Sequence, residues 1–345
     1  MGKGTVRVSK RIFLTGAGGF VGSHVLRHVL MNTDWEIIAP VTFKHQGKND
    51  RIASALEGNP EWQMRVTVVM MDLTAPIDHP TIDRIGRVDE IWNIASNSHV
   101  DTSIMEPGAF IQNNVALMTN LLDYARVAKP GMFLQMSTDE VYGPAPQGYN
   151  HVEWDTILPS NPYSASKAAQ EAIAYSYWRT YNVPVVITNT MNIIGEMQDP
   201  EKFVPMTMKK LLSGERMTVH VSPTGEAGSR FYLHARNLAD AWMTISNNVV
   251  PATYNAGFPR PDRYHIVGER EVKNDEMVSL IAEMLGVEPL IQRVDFHSSR
   301  PGHDLRYALD GSKITHDLGW THPVPFEDSL RKTVEWTKEH PEWLL

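Results

Sequence analysis

The 345-residue chain, 42% hydrophobic, is long enough to bury one large α/β core and a smaller one. A net charge of -8 leaves no basic face to neutralise phosphates in number, which excludes a general nucleic-acid binder. With no cysteine there is no disulfide, thiolate metal site or cysteine nucleophile, and no run reaches the ~18 apolar residues of a membrane span. MGKGTVRVSKR is basic but lacks the apolar core of a signal peptide, so a soluble, cytoplasmic protein is expected.

Residues 11–15, RIFLT, read as a short strand, and Gly16-Ala17-Gly18-Gly19-Phe20-Val21-Gly22 leads from it into the helical run SHVLRHVLMN. Gly16, Gly19 and Gly22 recur at three-residue spacing. Glycines there permit a tight turn and close approach to a pyrophosphate, while Phe20, Val21 and Gly22 open a helix whose free amides suit an anion. A dinucleotide cofactor is the expectation. His24 and His28 stand four apart on the helix, but no third ligand is in view; they read as a packed or solvated pair, and no metal is expected. The next strand, residues 35–41, would end in an acid if it held both ribose hydroxyls of NAD. It reads WEIIAPVTFKHQGK, without one. Thr42, Lys44, His45 and Lys48 follow and could surround a 2'-phosphate, which leans the choice from NAD to NADP; a solvated basic loop is the other reading. The third strand, 65–71, ends in Asp72-Leu73, where an acid can accept from an adenine amino group. The fourth, 88–95, runs into Ser96-Asn97-Ser98-His99, and Ala95 and Ser96 are small enough for a cofactor to pass close by. Residues 107–129 have helical spacing and stop before Pro130-Gly131.

The apolar run 132–136 ends in Ser137-Thr138-Asp139-Glu140, at the carboxyl end of a buried strand, where open α/β sheets bind ligands. Asn161-Pro162 then opens a helix with Tyr163 and Lys167 four apart, on one face. An ammonium beside a phenol favours the phenolate, so Tyr163 is expected to take a proton from an alcohol. A sixth strand covers 183–189, after which the alternation loosens. The expected fold is α/β, a Rossmann-like doubly wound parallel sheet over residues 1–190 with 230–268 returning to it; 191–229 and 269–345 form a smaller substrate domain. The helices 107–129 and 164–181 carry more apolar surface than one sheet face needs, which predicts a homodimer.

TGAGGFVGSHVLRHVL, SNSHVDTSI, STDEVYG, YSASKAA, ITNTMNIIG with PEKFVP, SRFYLHARNLADAW and RPGHDLRYALDGSKITHDLGW occur in this order. Together they resemble the extended short-chain dehydrogenase/reductases acting on nucleotide sugars, most closely the dTDP-glucose 4,6-dehydratases. The resemblance implies an NDP-hexose substrate and a tightly bound, recycled NAD or NADP. Tyr163 would remove the 4-hydroxyl proton with help from Thr138 and Lys167, Glu140 would take the C5 proton, and Asp139 would protonate the departing 6-hydroxyl. It further implies cofactor contacts at Asn114, Tyr163 and Lys167, and substrate contacts at Ser98, His99, Thr138, Asn192, Lys202, Phe203, Val204, Pro205, Arg230, Arg300 and His303. The sequence departs from the family pattern at the missing second-strand acid, Asn97, Thr102, Ile193-Ile194, Phe231 and Asn237. A nucleotide-sugar 4-epimerase or decarboxylase is the enzymatic alternative, and a non-catalytic NAD(P)-binding protein the other; Asp139 separates the first of these from a dehydratase.

Overall fold

The computed structural model describes residues 9–44, 47–295 and 304–345. Strands β1 (Arg11–Thr15), β2 (Glu36–Val41), β3 (Val66–Met70), β4 (Glu90–Asn93), β5 (Met132–Thr138) and β6 (Val185–Thr190) alternate with helices. These are α1 (Phe20–Asn32), α2 (Asn49–Leu56), α3 (Pro60–Arg65), α4 (His79–Ile85), α5 (Val100–Met105), α6 (Pro107–Ala128) and α7 (Pro162–Tyr181). Beyond them follow β7 (Asn192–Ile194), β8 (Met217–Val221), β9 (Ser229–His234), β10 (Asp262–Ile266), β11 (Glu271–Lys273) and β12 (Ile291–Asp295). Helices α8 (Phe203–Leu212), α9 (Ala235–Asn248), α10 (Asn274–Leu285), α11 (Ser312–Leu318) and α12 (Phe326–Glu339) intervene.

The main sheet is parallel, in the order β10-β6-β5-β4-β1-β2-β3. Its strands are buried on both faces, so they read as apolar runs rather than alternations. The period of two then sorts each strand between two cores. Ile12, Leu14, Trp92 and Leu134 face Val25, Leu26 and Val29 of α1 and Trp242 of α9. Phe13, Ile91 and Phe133 face Met118, Leu121 and Leu122 of α6 and Trp178 of α7. The doubly wound fold is thus borne out. The chain winds outward from β1 to β3 and restarts at β4 on the other side of β1, and such a reversal opens a crevice at the strand ends. A separate apolar core joins Ile194, Val204, Met208, Met217, Val272, Ile281, Leu330 and Leu344 outside the sheet. Among the described residues no helix is long and apolar enough to cross a membrane.

Candidate active site

At the β1/β4 crevice, Thr15 ends β1, and its Oγ1 accepts from the amides of Ile94 and Ala95, both at 3.0 Å. Gly16 follows at φ +73°, and a Cβ on it would lie 3.0 Å from the Ala95 nitrogen. A Cβ on Gly22 would lie 2.0 Å from the Gly16 carbonyl oxygen, so α1 is packed onto the turn at a distance only glycine allows. Gly19 caps α1 without a side-chain hydrogen bond, leaving first-turn amides directed at the turn. This cradle fits a dinucleotide pyrophosphate. Ala95 and Ser96 are half-buried at the end of β4. Asn114 is fully buried and ties the neighbouring loop down: it accepts from the Asn97 amide at 2.8 Å and donates to the Asn97 carbonyl and to Ser166. Leu73 is buried too, its carbonyl accepting from Asn120.

The ribose end differs from the sequence expectation. Thr42 accepts from the Lys44 amide at 3.3 Å, while the Lys44 ammonium is paired with Asp72 at 2.8 Å. That bond and those from Thr74 hold the Asp72 carboxyl down at about 2. Lys48 lies over the indole of Trp343, 4.7 Å from its centroid. Both described lysines on which the lean to NADP rested therefore have partners, and that lean finds no support. His45 lies outside the described residues. The two helix histidines diverge, His24 to the Glu196 carbonyl and His28 to Asp240.

The second half of the crevice is made by β5 and α7. Thr138 closes β5 and caps a 3₁₀ turn, Asp139–Tyr142, by accepting from the Glu140 amide. Its hydroxyl donates to Asp139 Oδ1 at 2.9 Å, and it also hydrogen-bonds Tyr163. Asp139 is 4% exposed, and its Oδ2 has no hydrogen-bond partner among the described residues. Burial first, then the adjacent Glu140 charge, push its carboxyl up to about 7. Glu140 is also raised by burial, but Asn161 donates to it at 3.0 Å and Arg230 and Lys202 favour its charged form. Asn161 owes its position to its role as N-cap of α7, in a reciprocal capping box with Ser164.

Tyr163 and Lys167 correct the sequence reading. Burial, and after it the Glu140 carboxylate, raise the Tyr163 phenol above its ordinary value. Burial and Glu140 thus reverse the expected bias toward phenolate, and the Lys167 ammonium is engaged elsewhere, donating to the Met136 carbonyl at 2.8 Å and to Gln170 at 2.7 Å. Lys167 is 3% exposed, and burial brings it down to about 7 against the opposing pull of Glu171.

The expected substrate residues are spread around this centre. Ser98 is exposed, and its carbonyl accepts from Lys202 at 3.4 Å; His99 caps α5. Asn192 is exposed at the start of β7, and Lys202 is the N-cap of α8. Phe203 is half-buried, whereas Val204 and Pro205, beside it in the first turn of α8, are buried. Arg230 donates to the carbonyls of Ser229, Asp304 and Leu305, each at 2.7 Å, and lies over the Tyr307 ring. Its charge still reaches Asp139 and Glu140. Arg300 and His303 lie outside the described residues. Sequence reasoning missed Asn161 as a carboxylate partner and missed Glu171 and Arg263 altogether. Only the position of Glu171, one turn beyond Lys167, was available as a signal.

The family model for GDP-mannose 4,6 dehydratase matches residues 13–333. A dTDP-glucose 4,6-dehydratase of Escherichia coli is 33% identical, with 96% of this chain and 95% of the relative aligned. The solved dTDP-glucose 4,6-dehydratase of Streptomyces venezuelae, with NAD bound, has a TM-score of 0.82 at 32% identity, covering 96% of this chain and 98% of its own. That of Bacillus anthracis, also in complex with NAD, has a TM-score of 0.82 at 27% identity, covering 97% and 98%. With the glycine cradle, the paired carboxyls and the Tyr163–Lys167 helix in place, these likenesses show that the chain belongs to the GDP-mannose 4,6-dehydratase family, the NAD(P)-dependent nucleotide-sugar dehydratases of the extended short-chain dehydrogenase/reductases.

Proposed function

We propose that the protein converts an NDP-hexose to an NDP-4-keto-6-deoxyhexose, and that the observation carrying this reading is the Asp139–Glu140 pair at the end of β5 beside Tyr163. A bound nicotinamide would supply a hydride acceptor for C4 and, once reduced, a hydride donor for C6. The residues handle the protons. Tyr163 receives the 4-hydroxyl proton in its phenolate form, which burial and Glu140 oppose and which the positive charge of a bound oxidised nicotinamide would favour; Thr138 links it to Asp139, and Lys167 stands one helical turn behind it. Oxidation at C4 acidifies C5, and Glu140, which burial makes a stronger base than an ordinary carboxylate while Asn161, Arg230 and Lys202 favour its charged form, takes that proton. Asp139, raised to about 7 and so able to hold a proton near neutrality where an ordinary aspartic acid cannot, delivers it to the departing 6-hydroxyl. Incubation with dTDP-, UDP-, GDP- and CDP-hexoses should yield a 4-keto-6-deoxy sugar with at least one of them. Inversion at C4, release of carbon dioxide, or no turnover with any of them would overturn the proposal.

For the cofactor the reading is NAD, supported by the pairing of Lys44 with Asp72 and by the NAD in the two dehydratases named above. Denaturing the purified protein should release NAD or its reduced form; recovery of NADP would refute this. The division into a sheet domain and a substrate domain over 191–229 and 269–345 belongs to the same proposal, and the separate core around Met208 and Ile281 supports it. So does a homodimer through α6 and α7, which pack side by side and leave Val115, Ile173 and Tyr177 only partly covered. Sedimentation at micromolar concentration should give twice the chain mass, and a monomer would refute the dimer.

A further inference from the structure

Behind the strand end that bears the acids lies a buried ion pair that the proton transfers above do not use. Glu171 on α7 and Arg263 on β10 are 2% and 4% exposed, 92 residues apart in sequence, and meet with Nη2 2.7 Å from Oε2. Two charges are costly to bring into such a site, and a single partner leaves lone pairs and protons unmet. Here Glu171 Oε1 and Arg263 Nη1 are directed at the catalytic segment from both sides, while Arg263 Nε has no hydrogen-bond partner among the described residues. Glu171 Oε1 accepts from Asn189 Nδ2 at 2.8 Å, and the same Asn189 nitrogen donates to the Thr138 carbonyl at 3.0 Å. Arg263 Nη1 donates to the Tyr142 hydroxyl at 2.9 Å, and Tyr142 ends the 3₁₀ turn that carries Asp139 and Glu140. That hydroxyl in turn donates to the Glu153 carbonyl and contacts His265 at 2.8 Å. The guanidinium is covered by the Trp154 ring, 4.5 Å away. The Asp139–Glu140 segment is thus held at its start by Glu171 and at its end by Arg263.

The same carboxylate stands one helical turn from Lys167. Around that lysine, Tyr163 and Glu171 stand one turn to either side on its own helix, β5 meets its ammonium through the neutral Met136 carbonyl, and Gln170 takes the other hydrogen bond. Helix α6 meets this stretch through the neutral Asn114. Of these groups, Glu171 is the one whose charge acts on Lys167, opposing the effect of burial.

We propose that Glu171 and Arg263 are positioning residues for the dehydration, fixing both ends of the segment that carries the acid and the base and facing the Lys167 ammonium with a negative charge. This rests on the function proposed above, and the experiment separates the two. Cofactor reduction in a single turnover reports oxidation at C4 before the acids act, and its pH profile should fall on the alkaline side as Lys167 loses its proton. Glu171→Gln removes the charge that keeps Lys167 protonated, so the alkaline limb should move to lower pH by about one unit, with kcat reduced more than KM is changed. Glu171→Asp, which keeps the charge, should restore most of the wild-type profile. Because the single change strands a buried guanidinium, the double variant Glu171→Gln/Arg263→Met, which leaves no unpaired charge, is measured beside it and should show the same displacement. Loss of water after cofactor reduction should slow in the same variants, because the Asp139–Glu140 segment loses a hold; an unmoved limb or an unchanged rate of water loss in whichever of them folds overturns the inference while leaving the function standing. If the wild-type protein reduces no cofactor with any sugar nucleotide, function and inference fall together.

Discussion

Asp139→Asn should leave oxidation at C4 and exchange of the C5 proton intact and slow the loss of water by a factor on the order of 10²–10⁴, the range of general acid catalysis. Glu140, which burial also raises, is committed to the C5 proton and is held by Asn161 at 3.0 Å, so the proton for the leaving hydroxyl comes from Asp139. The pH dependence has a definite sign. An ordinary aspartic acid is ionised at neutral pH, whereas burial and Glu140 push Asp139 up to about 7, so the proton it delivers is present below that value and is lost above it. Followed from the reduced-cofactor stage onward, so that the titration of Lys167 in the oxidation does not enter, wild-type elimination should decline as pH rises through about 7, and the decline should vanish in Asp139→Asn. Glu140→Gln should do the converse, accumulating reduced cofactor without incorporating deuterium at C5. Mass spectrometry of the product in deuterated solvent, with stopped-flow absorbance of the cofactor, reads both. An Asn variant that dehydrates at the wild-type rate would remove Asp139 from the mechanism.

The second large effect is structural. Gly22→Ala would set a Cβ 2.0 Å from the Gly16 oxygen and 2.5 Å from its carbon, both main-chain atoms that no rotamer change can move. Helix α1 would have to lift from the turn, opening the contact that lines the cofactor cradle. A loss of about 4 kcal/mol, at the upper end for single substitutions, is expected together with loss of retained nucleotide. Gly108→Ala on α6 is the control, since a Cβ there meets nothing within 4 Å. It should stabilise the helix by roughly 0.5–1 kcal/mol by restricting the unfolded chain. Denaturant midpoints and nucleotide content of the two variants give the comparison, and a Gly22→Ala protein that is stable and retains its cofactor would contradict the account of the turn.

What the sequence determined by itself is what neighbouring residues set. Strand, glycine turn and helix follow one another within residues 11–32; Asn161-Pro162 caps its own helix; Tyr163 and Lys167 share a face at four-residue spacing; and Thr138-Asp139-Glu140 follow directly on an apolar strand. Backbone geometry and hydrogen-bond spacing decide such features within a few residues, so a linear reading reaches them. The protonation states were decided elsewhere. Lys167 is turned to Met136 and Gln170, Tyr163 is raised by burial and Glu140, and the Lys44 charge that suggested a phosphate site is taken up by Asp72, 28 residues away. The Glu171–Arg263 pair spans 92 residues, and Arg51 reaches across 148 to Asp199. Only the tertiary structure decided these, because the state of a charge depends on which charges and how much water lie within a few ångströms of it, and folding brings those neighbours from parts of the chain whose spacing in sequence carries no trace of the encounter.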